Sequence, residues 1–452
     1  MDETIASIIT PLGIGGVAMI RLSGKTALQI TDTIFHSHKG KPSEYPTHTL
    51  HHGTIYDGEE MVDEILLAIM RAPHSYTAED VVEISCHGGM VSAKRILDLA
   101  IKRGARLAQP GEFTRRAFLN GRIDLTQAEA VLDIVSAQTE SAHAAAVAQL
   151  EGHLYRQLQE LYSHLSDALA HVEAHIDFPE EDITPATREK LIEQIREAKT
   201  TQDKLLKTAR EGKILREGVR TIIIGKPNVG KSSLLNALLG HDRAIVSATP
   251  GTTRDTIEEA VNIEGLPLRI IDTAGLRDSA DEIEKEGMAR TRKQLDSAEL
   301  VLLVLDSSQT LETIDRQLLT LCKEKPLIAV LNKKDLGQVI DTQYLRDITS
   351  SILSLKTGEG LDLLKEKIAI HLWQGKTHPS FQEIFINSRH QEALQRSRKG
   401  LEKVEKALQE KKSFEFVAAD LRESLEALGE ITGRTVTEDV LDRIFSRFCI
   451  GK

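Results

Sequence analysis

The sequence predicts a multidomain chain, with an α/β P-loop nucleotide domain inserted into an α-helical domain and an α+β domain in front. Three observations carry this expectation. Gly225-Lys-Pro-Asn-Val-Gly-Lys-Ser232 fits G-x-x-x-x-G-K-[ST], between the β-branched run Val219 to Ile224 and the helical Ser233-Leu-Leu-Asn-Ala-Leu-Leu239. Apolar residues recur at spacings of three and four on both sides of that domain. The first 118 residues read as mixed strands and helices. The expected divisions are 1–118, a first helical part over 119–216, the nucleotide domain over 217–376 and a second helical part over 377–452.

Length and composition bound the rest. A chain of 452 residues exceeds one ordinary core. Its 57 Lys plus Arg stand against 68 Asp plus Glu, a net charge of −11, which argues against generic nucleic-acid coating. RNA held by one basic face or by a partner protein remains compatible. Cys86, Cys322 and Cys449 lie far apart with no C-x-x-C pair, as in a reducing compartment. The Met-Asp-Glu start lacks the basic region of a signal peptide. Leu300-Val-Leu-Leu-Val-Leu305 is strand-sized, well short of the ~20 apolar residues that span a bilayer. The expectation is a cytoplasmic protein with no membrane segment.

In the first region, Ile5 to Thr10 and Val17 to Leu22 are strand-like and flank Pro11-Leu-Gly-Ile-Gly-Gly16. That glycine loop leads into a strand, so a dinucleotide fingerprint is not expected. Val81 to Ser85 alternates as a strand, His87-Gly-Gly89 turns, and Val91 to Ala100 is helical. His87 reads as a loop histidine capping a turn rather than a catalytic group. Beyond Gly111 to Asp124 the sequence becomes alanine-rich and helical. Leu154, Leu158, Leu161, Leu165, Leu169, Val172 and Ile176 form one stripe. Asp177 to Pro185 breaks it with two prolines. A second helix over roughly 187–210 then runs to Glu211-Gly212 and a linker before the nucleotide domain. After His378, the stripe Leu421, Leu425, Leu428 and Ile431 implies that the two helical blocks pack together around an inserted domain.

The nucleotide motifs follow in order. The loop's N–H groups suit phosphate at a helix N-terminus. Lys231 suits the β/γ oxygens, and the Ser232 hydroxyl suits Mg²⁺. Gly251-Thr-Thr-Arg-Asp255 offers Thr253 as a second Mg²⁺ ligand. Asp272-Thr-Ala-Gly275 offers a carboxylate for the metal's water shell and the Gly275 N–H for the γ-phosphate. Asn332-Lys-Lys-Asp335 follows the apolar run Leu327 to Leu331. Asp335 can accept from the guanine N1–H and amine, a pattern adenine does not offer. Ser354-Leu-Lys356 would back the base. The chain is read as binding GTP.

Hydrolysis is less direct. Leu276 stands where many GTPases carry a water-orienting Gln. A carboxylate in Asp278-Ser-Ala-Asp-Glu-Ile-Glu284 is one substitute, although most of those acids read as solvated. Arg254 and Arg277 are candidate arginine fingers. A monovalent cation beside the Asn228 amide oxygen is the better alternative.

With these residues in view, the chain resembles the MnmE/TrmE family of tRNA-modification GTPases from end to end. The resemblance rests on Gly15 to Gly24, Tyr76-Thr-Ala-Glu-Asp80, His87-Gly-Gly89, Pro110-Gly-Glu-Phe113, the inserted domain and the terminal Phe448-Cys-Ile-Gly-Lys452. It implies that residues 1–118 form a folate-binding, homodimerising domain, with a tetrahydrofolate derivative (5,10-methylene or 5-formyl) contacted by Arg21, Glu83, Arg122 and Lys452. The Arg122 position can be Lys in the family, and the two are not equivalent donors. The resemblance places K⁺ at Asn228, Ser247, Thr249 and Thr252, and Mg²⁺ at Ser232 and Thr253. It assigns the water-orienting acid to Glu284 and a functional thiol to Cys449. The implied nucleotide contacts run from Asn228, Val229 and Gly230 through Lys231, Ser232 and Ser233. They continue through Ser247, Ala248, Thr249, Pro250, Gly251, Thr252 and Thr253 to Asp272, Thr273, Ala274 and Gly275. Asn332, Lys333, Asp335, Ser354, Leu355 and Lys356 complete the set.

The implied activity is a potassium-stimulated GTP hydrolysis coupled to tRNA modification. With the FAD-dependent MnmG/GidA protein, in a heterotetramer or larger assembly, it would add a (carboxymethyl)aminomethyl group at carbon 5 of the wobble uridine of certain tRNAs. A tetrahydrofolate one-carbon unit would be used. The competing expectation is an Era-like G-protein switch in ribosome assembly, which leaves the first 120 residues and the Cys-Ile-Gly-Lys end without a role.

Overall fold

The computed structural model describes residues 3–177, 185–242, 259–271, 295–373 and 384–452. It divides into two compact units. The first comprises Met1–Leu132, Tyr155–Ser166 and Leu421–Lys452; the second comprises Asp133–Leu154 and Asp167–Asp420.

The first unit is built on a seven-stranded sheet. Its strands are β1 (Ile5–Ile8), β2 (Val17–Ser23), β3 (Phe35–His36), β4 (Thr49–Asp57), β5 (Glu60–Met70), β6 (Val81–His87) and β7 (Arg106–Leu107), in the order β3-β4-β5-β6-β2-β1-β7. Alternation decides which face is inward: Ala18, Ile20 and Leu22 of β2 are buried with Val82, Ile84 and Cys86 of β6. Helices α1 (Ala27–Asp32) and α2 (Met90–Lys102) contribute Ala27, Leu28, Ile30, Ala93, Ile96 and Leu99 to that core. Helices α3 (Glu112–Leu119) and α4 (Leu125–Ser136) follow.

Five helices surround the nucleotide sheet in sequence. They are α5 (Glu140–Leu150), α6 (His153–Asp177), α7 (Pro185–Lys207) and α8 (Ala209–Glu217) before it, and α12 (Ser388–Gln409) after it. The nucleotide sheet contains β8 (Val219–Ile224), β9 (Glu259–Ile263), β10 (Leu266–Ile270), β11 (Leu300–Asp306), β12 (Leu327–Asn332) and β13 (Thr349–Ile352), with helices α9 (Lys231–Asp242), α10 (Thr313–Cys322) and α11 (Leu361–Leu372). The chain closes with α13 (Phe414–Thr432) and α14 (Glu438–Phe445). The strand order is β13-β12-β11-β8-β10-β9, parallel throughout except for the β9–β10 hairpin. Strands β8, β11 and β12 are near-continuous apolar runs because a parallel sheet is covered on both faces.

The expectation that helices before and after the nucleotide sheet pack together holds within the second unit. On α7, Gln202 Nε2 donates to Ser397 Oγ of α12 at 2.8 Å, and Arg196 and Lys199 both pair with Glu405. Three details differ from the sequence reading. The second helix does not end at Glu211-Gly212, because the helix breaks at Thr208 and those two residues lie inside α8. There the glycine is required by contact, since a Cβ would sit 2.5 Å from the Ile386 carbonyl oxygen. On α6, Ala168 is fully buried and Leu169 only half-buried, so the stripe follows a slightly different face. His87 ends β6 rather than occupying a loop. No helix among the described residues is long and apolar enough to cross a membrane.

Candidate nucleotide site and a second cluster

Strand β8 is the switch point of the sheet, flanked by β10 on one side and β11 on the other. In open α/β sheets ligands bind outside the carboxyl ends of the strands at such a point. The chain leaves β8 through Gly225 at φ 152°, passes Asn228 at φ 63° and Gly230 at φ 107°, and enters α9 at Lys231. A Cβ on Gly225 would lie 2.4 Å from the Val304 carbonyl oxygen, and one on Gly230 would lie 2.3 Å from Asn332 Nδ2. Both glycines are therefore fixed by positive φ and by close approach.

The loop is tied to the base-recognition segments by one buried amide. Asn332, 4% exposed, donates from Nδ2 to the Val229 carbonyl at 2.8 Å and accepts from the Leu355 N–H at 3.1 Å. Val229 contributes a buried side chain to the core. Its implied role in nucleotide contact thus falls to its backbone. The Lys231 ammonium donates to the Lys226 carbonyl at 3.0 Å, and burial lowers its pKa. An arriving phosphate would restore the counter-charge that burial withholds. Ser232 is half-buried and Ser233 and Asn228 are exposed.

Asp335 is exposed in the 3₁₀ turn Lys334–Leu336, and its Oδ1 accepts from Ser354 Oγ at 2.7 Å. The Thr357 N–H donates to the same serine oxygen at 3.3 Å. Lys356 is exposed beside them. Thus Asn228 through Ser233, Asn332, Lys333, Asp335 and Ser354 through Lys356 gather at one edge of the sheet. Ser247, Ala248, Thr249, Pro250, Gly251, Thr252, Thr253, Asp272, Thr273, Ala274, Gly275 and Glu284 lie outside the described residues, as do Arg254, Leu276 and Arg277. Ser232 in the first turn of α9 and the exposed Asn228 amide offer oxygen donors of the kind that Mg²⁺ and K⁺ accept.

Sequence reasoning passed over two groups here. Asp306 ends β11 and pairs with Lys333 at 2.7 Å. Lys226, inside the phosphate loop, pairs with Glu312 at 2.9 Å and Asp315 at 3.5 Å. The signal for Asp306 was available: it is a carboxylate at the carboxyl end of an apolar strand.

In the first unit, Arg21 and Glu83 are cross-strand partners on β2 and β6, and Arg21 Nη2 lies 2.7 Å from Glu83 Oε1. The Arg21 guanidinium lies 5.1 Å from the Tyr76 ring centroid and 5.4 Å from that of Phe113; the Arg122 guanidinium lies 5.0 Å from the Tyr76 ring. Arg122 also donates to the Tyr76 carbonyl at 3.0 Å. The chain end reaches the same place, because the Phe113 N–H donates to the Lys452 carbonyl at 3.2 Å. Gly451, at φ 100°, packs where a Cβ would meet the Ile8 carbonyl oxygen at 2.8 Å. The structure therefore brings Arg21, Glu83, Arg122 and the backbone of Lys452 together around Tyr76 and Phe113. Cys449 is exposed, whereas burial pushes Cys86 and Cys322 each up to about 11, so neither is a ready thiolate. A carboxylate and two guanidinium groups beside aromatic rings have the chemistry that a folate's donating pterin edge and carboxylate tail would require.

His87 also belongs to this unit, where its Nδ1 lies 2.6 Å from Asp63 Oδ1 and its N–H donates to Asp63 Oδ2 at 3.0 Å. The hydrogen bond to Asp63, then that carboxylate's charge, lift His87 above its ordinary 6.5. Burial acts to raise Asp63, but the bonds from His87 and Glu64 outweigh it and leave the carboxyl below its ordinary 3.8. The histidine's contribution is thus complete below the unfolded value and lost as pH rises through the folded one. The aspartate's contribution is present above its unfolded value and lost as pH falls through the folded one. Denaturant unfolding of this unit between about pH 5.5 and about pH 8.5 is expected to show stability falling as pH rises, with a shallower slope in Asp63→Asn. Identical slopes in the two proteins would remove the pair from the account.

A mostly parallel sheet with a phosphate loop at its switch point, and with N-K-K-D and S-L-K segments on the same edge, defines a P-loop protein of the guanine-nucleotide-binding class. Residues 4–122 match the family model for the GTP-binding protein TrmE N-terminus, and residues 125–449 match that for the MnmE helical domain. The tRNA modification GTPase MnmE of Clostridioides difficile (strain 630) is 48% identical over 457 residues, covering 100% of both chains. That of Bacillus subtilis (strain 168) is 44% identical over 458 residues, also covering 100% of both. The solved G domain of the T. maritima FeoB iron transporter covers 34% of this chain and 98% of its own at 32% identity, with a TM-score of 0.26. The chain belongs to the MnmE family.

Proposed function

We propose that this protein is a GTPase that acts in tRNA modification, hydrolysing GTP with K⁺ and Mg²⁺ and using a tetrahydrofolate one-carbon unit. Together with an FAD-dependent partner of the MnmG/GidA type, it would install a (carboxymethyl)aminomethyl group at carbon 5 of a wobble uridine. The observation that carries this reading is the set of guanine-type segments at one sheet edge, within a chain similar to tRNA modification GTPases over its whole length. In this reading Lys231 holds phosphate oxygens, Ser232 and Thr253 hold Mg²⁺, and Asn228, Ser247, Thr249 and Thr252 hold K⁺. Glu284 orients water where Leu276 cannot, and Asp335 reads guanine.

The folate half draws support from the cluster of Arg21, Glu83, Arg122 and the chain end around Tyr76. Bound there, a folate would supply a one-carbon unit, while Arg21, Arg122 and Lys452 bind its anionic groups and Cys449 serves as the thiol. Residues 1–118, 119–216, 217–376 and 377–452 would act as folate, helical, nucleotide and helical segments of a cytoplasmic homodimer.

Calorimetric titration with 5-formyl-tetrahydrofolate tests the reading. Lys452→Ala keeps the carbonyl that Phe113 uses and removes the ammonium, so affinity is expected to fall about tenfold, the scale of one charge-assisted hydrogen bond. Absence of binding to a folded wild type that still binds GTP would leave a nucleotide switch without folate chemistry.

A further inference from the structure

We propose that Asp306 is the positioning residue for Lys333 in the guanine pocket, an inference that rests on the guanine-nucleotide reading above. Asp306 is the last residue of β11 and Asn332 the last of β12, and the two are register partners in adjacent parallel strands. That register sets the Asp306 side chain beside the residue that follows Asn332. Lys333 then turns through the left-handed region at φ 67°, a conformation that a non-glycine residue adopts only when its surroundings hold it.

The holding contacts are specific. Asp306 Oδ2 lies 2.7 Å from Lys333 Nζ, while Oδ1 accepts from the Ser308 N–H at 3.0 Å and the Ser308 hydroxyl at 2.6 Å. The backbone is stitched alongside, with the Ser307 N–H donating to the Asn332 carbonyl at 2.8 Å. The Asp306 side chain is 4% exposed and that of Lys333 30%. Burial acts to raise the Asp306 pKa, but the Lys333 ammonium and the Ser308 donors outweigh it and hold the carboxyl below its ordinary range.

A lysine on a sheet edge would otherwise turn its ammonium to water and let its four-carbon stem sample many rotamers. Anchoring Nζ to a buried carboxylate fixes both ends of the stem. It stands beside the Asp335 acceptor as a wall ordered before a base arrives, and ordering before binding raises affinity chiefly through a slower off-rate.

The test uses the full-length protein and a fluorescent N-methylanthraniloyl GDP. Asp306→Asn retains an oxygen to accept from Ser308 and loses the charge that holds Lys333. It is expected to speed dissociation about tenfold, the scale of one charge-assisted hydrogen bond. In a Lys333→Met background the same substitution is expected to change the rate less than about twofold, because the partner it acts through is gone. Asp306→Glu, which keeps the charge but displaces the carboxylate, should fall between wild type and Asp306→Asn and serves if the asparagine variant does not fold. Equal acceleration with and without Lys333, or none in either background, overturns the proposal. Failure of the wild type to bind GDP would instead overturn the nucleotide reading beneath it.

Discussion

Asp335→Asn is expected to abolish the preference for guanine and shift it toward xanthine nucleotides. The carboxylate sits in an exposed 3₁₀ turn just past β12, with one oxygen held by the Ser354 hydroxyl at 2.7 Å. It is thereby aimed as an acceptor at a base edge that donates from N1–H and an amine. An asparagine in the same place presents an amide N–H₂ to that edge, which suits the carbonyl that xanthine carries in place of the guanine amine. A site built from buried or oriented polar groups can discriminate by roughly 10⁴-fold, because the wrong ligand leaves those groups unpaired. Competition of GTP, XTP and ATP against a fluorescent guanine nucleotide reads the change directly. If the variant still ranks GTP far above XTP, Asp335 does not read the base.

Arg116→Ala is expected to cost the first unit about 3–5 kcal/mol, the usual penalty for removing one partner of a buried charge pair. Arg116 is 2% exposed. Its Nη1 donates to both Glu79 oxygens, at 3.2 and 3.1 Å. Nη2 donates to Glu112 Oε1 at 3.1 Å and the Glu3 carbonyl at 3.0 Å. Arg106 also holds Glu112 at 2.7 Å, so that acid keeps a partner in the variant. Among the described residues, the Glu79 carboxylate would keep the Ser23 hydroxyl at 2.7 Å. At about 2–4 °C per kcal/mol for a unit of this size, the melting temperature should drop by roughly 10 °C. Adding Glu79→Gln to Arg116→Met should recover much of the loss, since no uncompensated charge then remains. A single-variant loss within about 0.5 kcal/mol, the range of ordinary surface substitutions, would mean that the network does not hold the unit together.

That network also explains two stretches that the sequence offered only as family resemblance. Tyr76 to Asp80 and Pro110 to Phe113 flank the Arg21 and Arg122 cluster, and Arg116 joins them through Glu79 and Glu112. Gly111 has its own reason: at φ 68° it lies where a Cβ would meet the Phe445 carbonyl oxygen at 2.6 Å. No periodicity announces such a contact, because its partner lies more than three hundred residues away.

The parts legible in the sequence are those whose cause is local. The phosphate loop is recognisable because its glycines take positive φ at a fixed spacing, although the approach of Val304 and Asn332 to them is set by the sheet. Strands β8, β11 and β12 are recognisable because a sheet covered on both faces demands unbroken apolar runs. The helical stripes follow from a 3.6-residue period, although Ala168 is buried in place of Leu169 and Ile176 is only half-buried. Tertiary structure decided what depends on approach between distant segments. Gly212 read as a helix end because glycine usually breaks a helix, yet here it sits within α8 so that the Ile386 backbone can come close. His87 read as a loop residue, yet Asp63 on the neighbouring strand gives it a partner. Asp306 reads as the end of an apolar strand and becomes a tether for Lys333 only when β11 and β12 lie in register. The sequence by itself thus determined the class of chemistry, because phosphate and guanine recognition are written in short contiguous segments. The anchoring of those segments depends on pairings set by sheet register and packing, which no local pattern encodes.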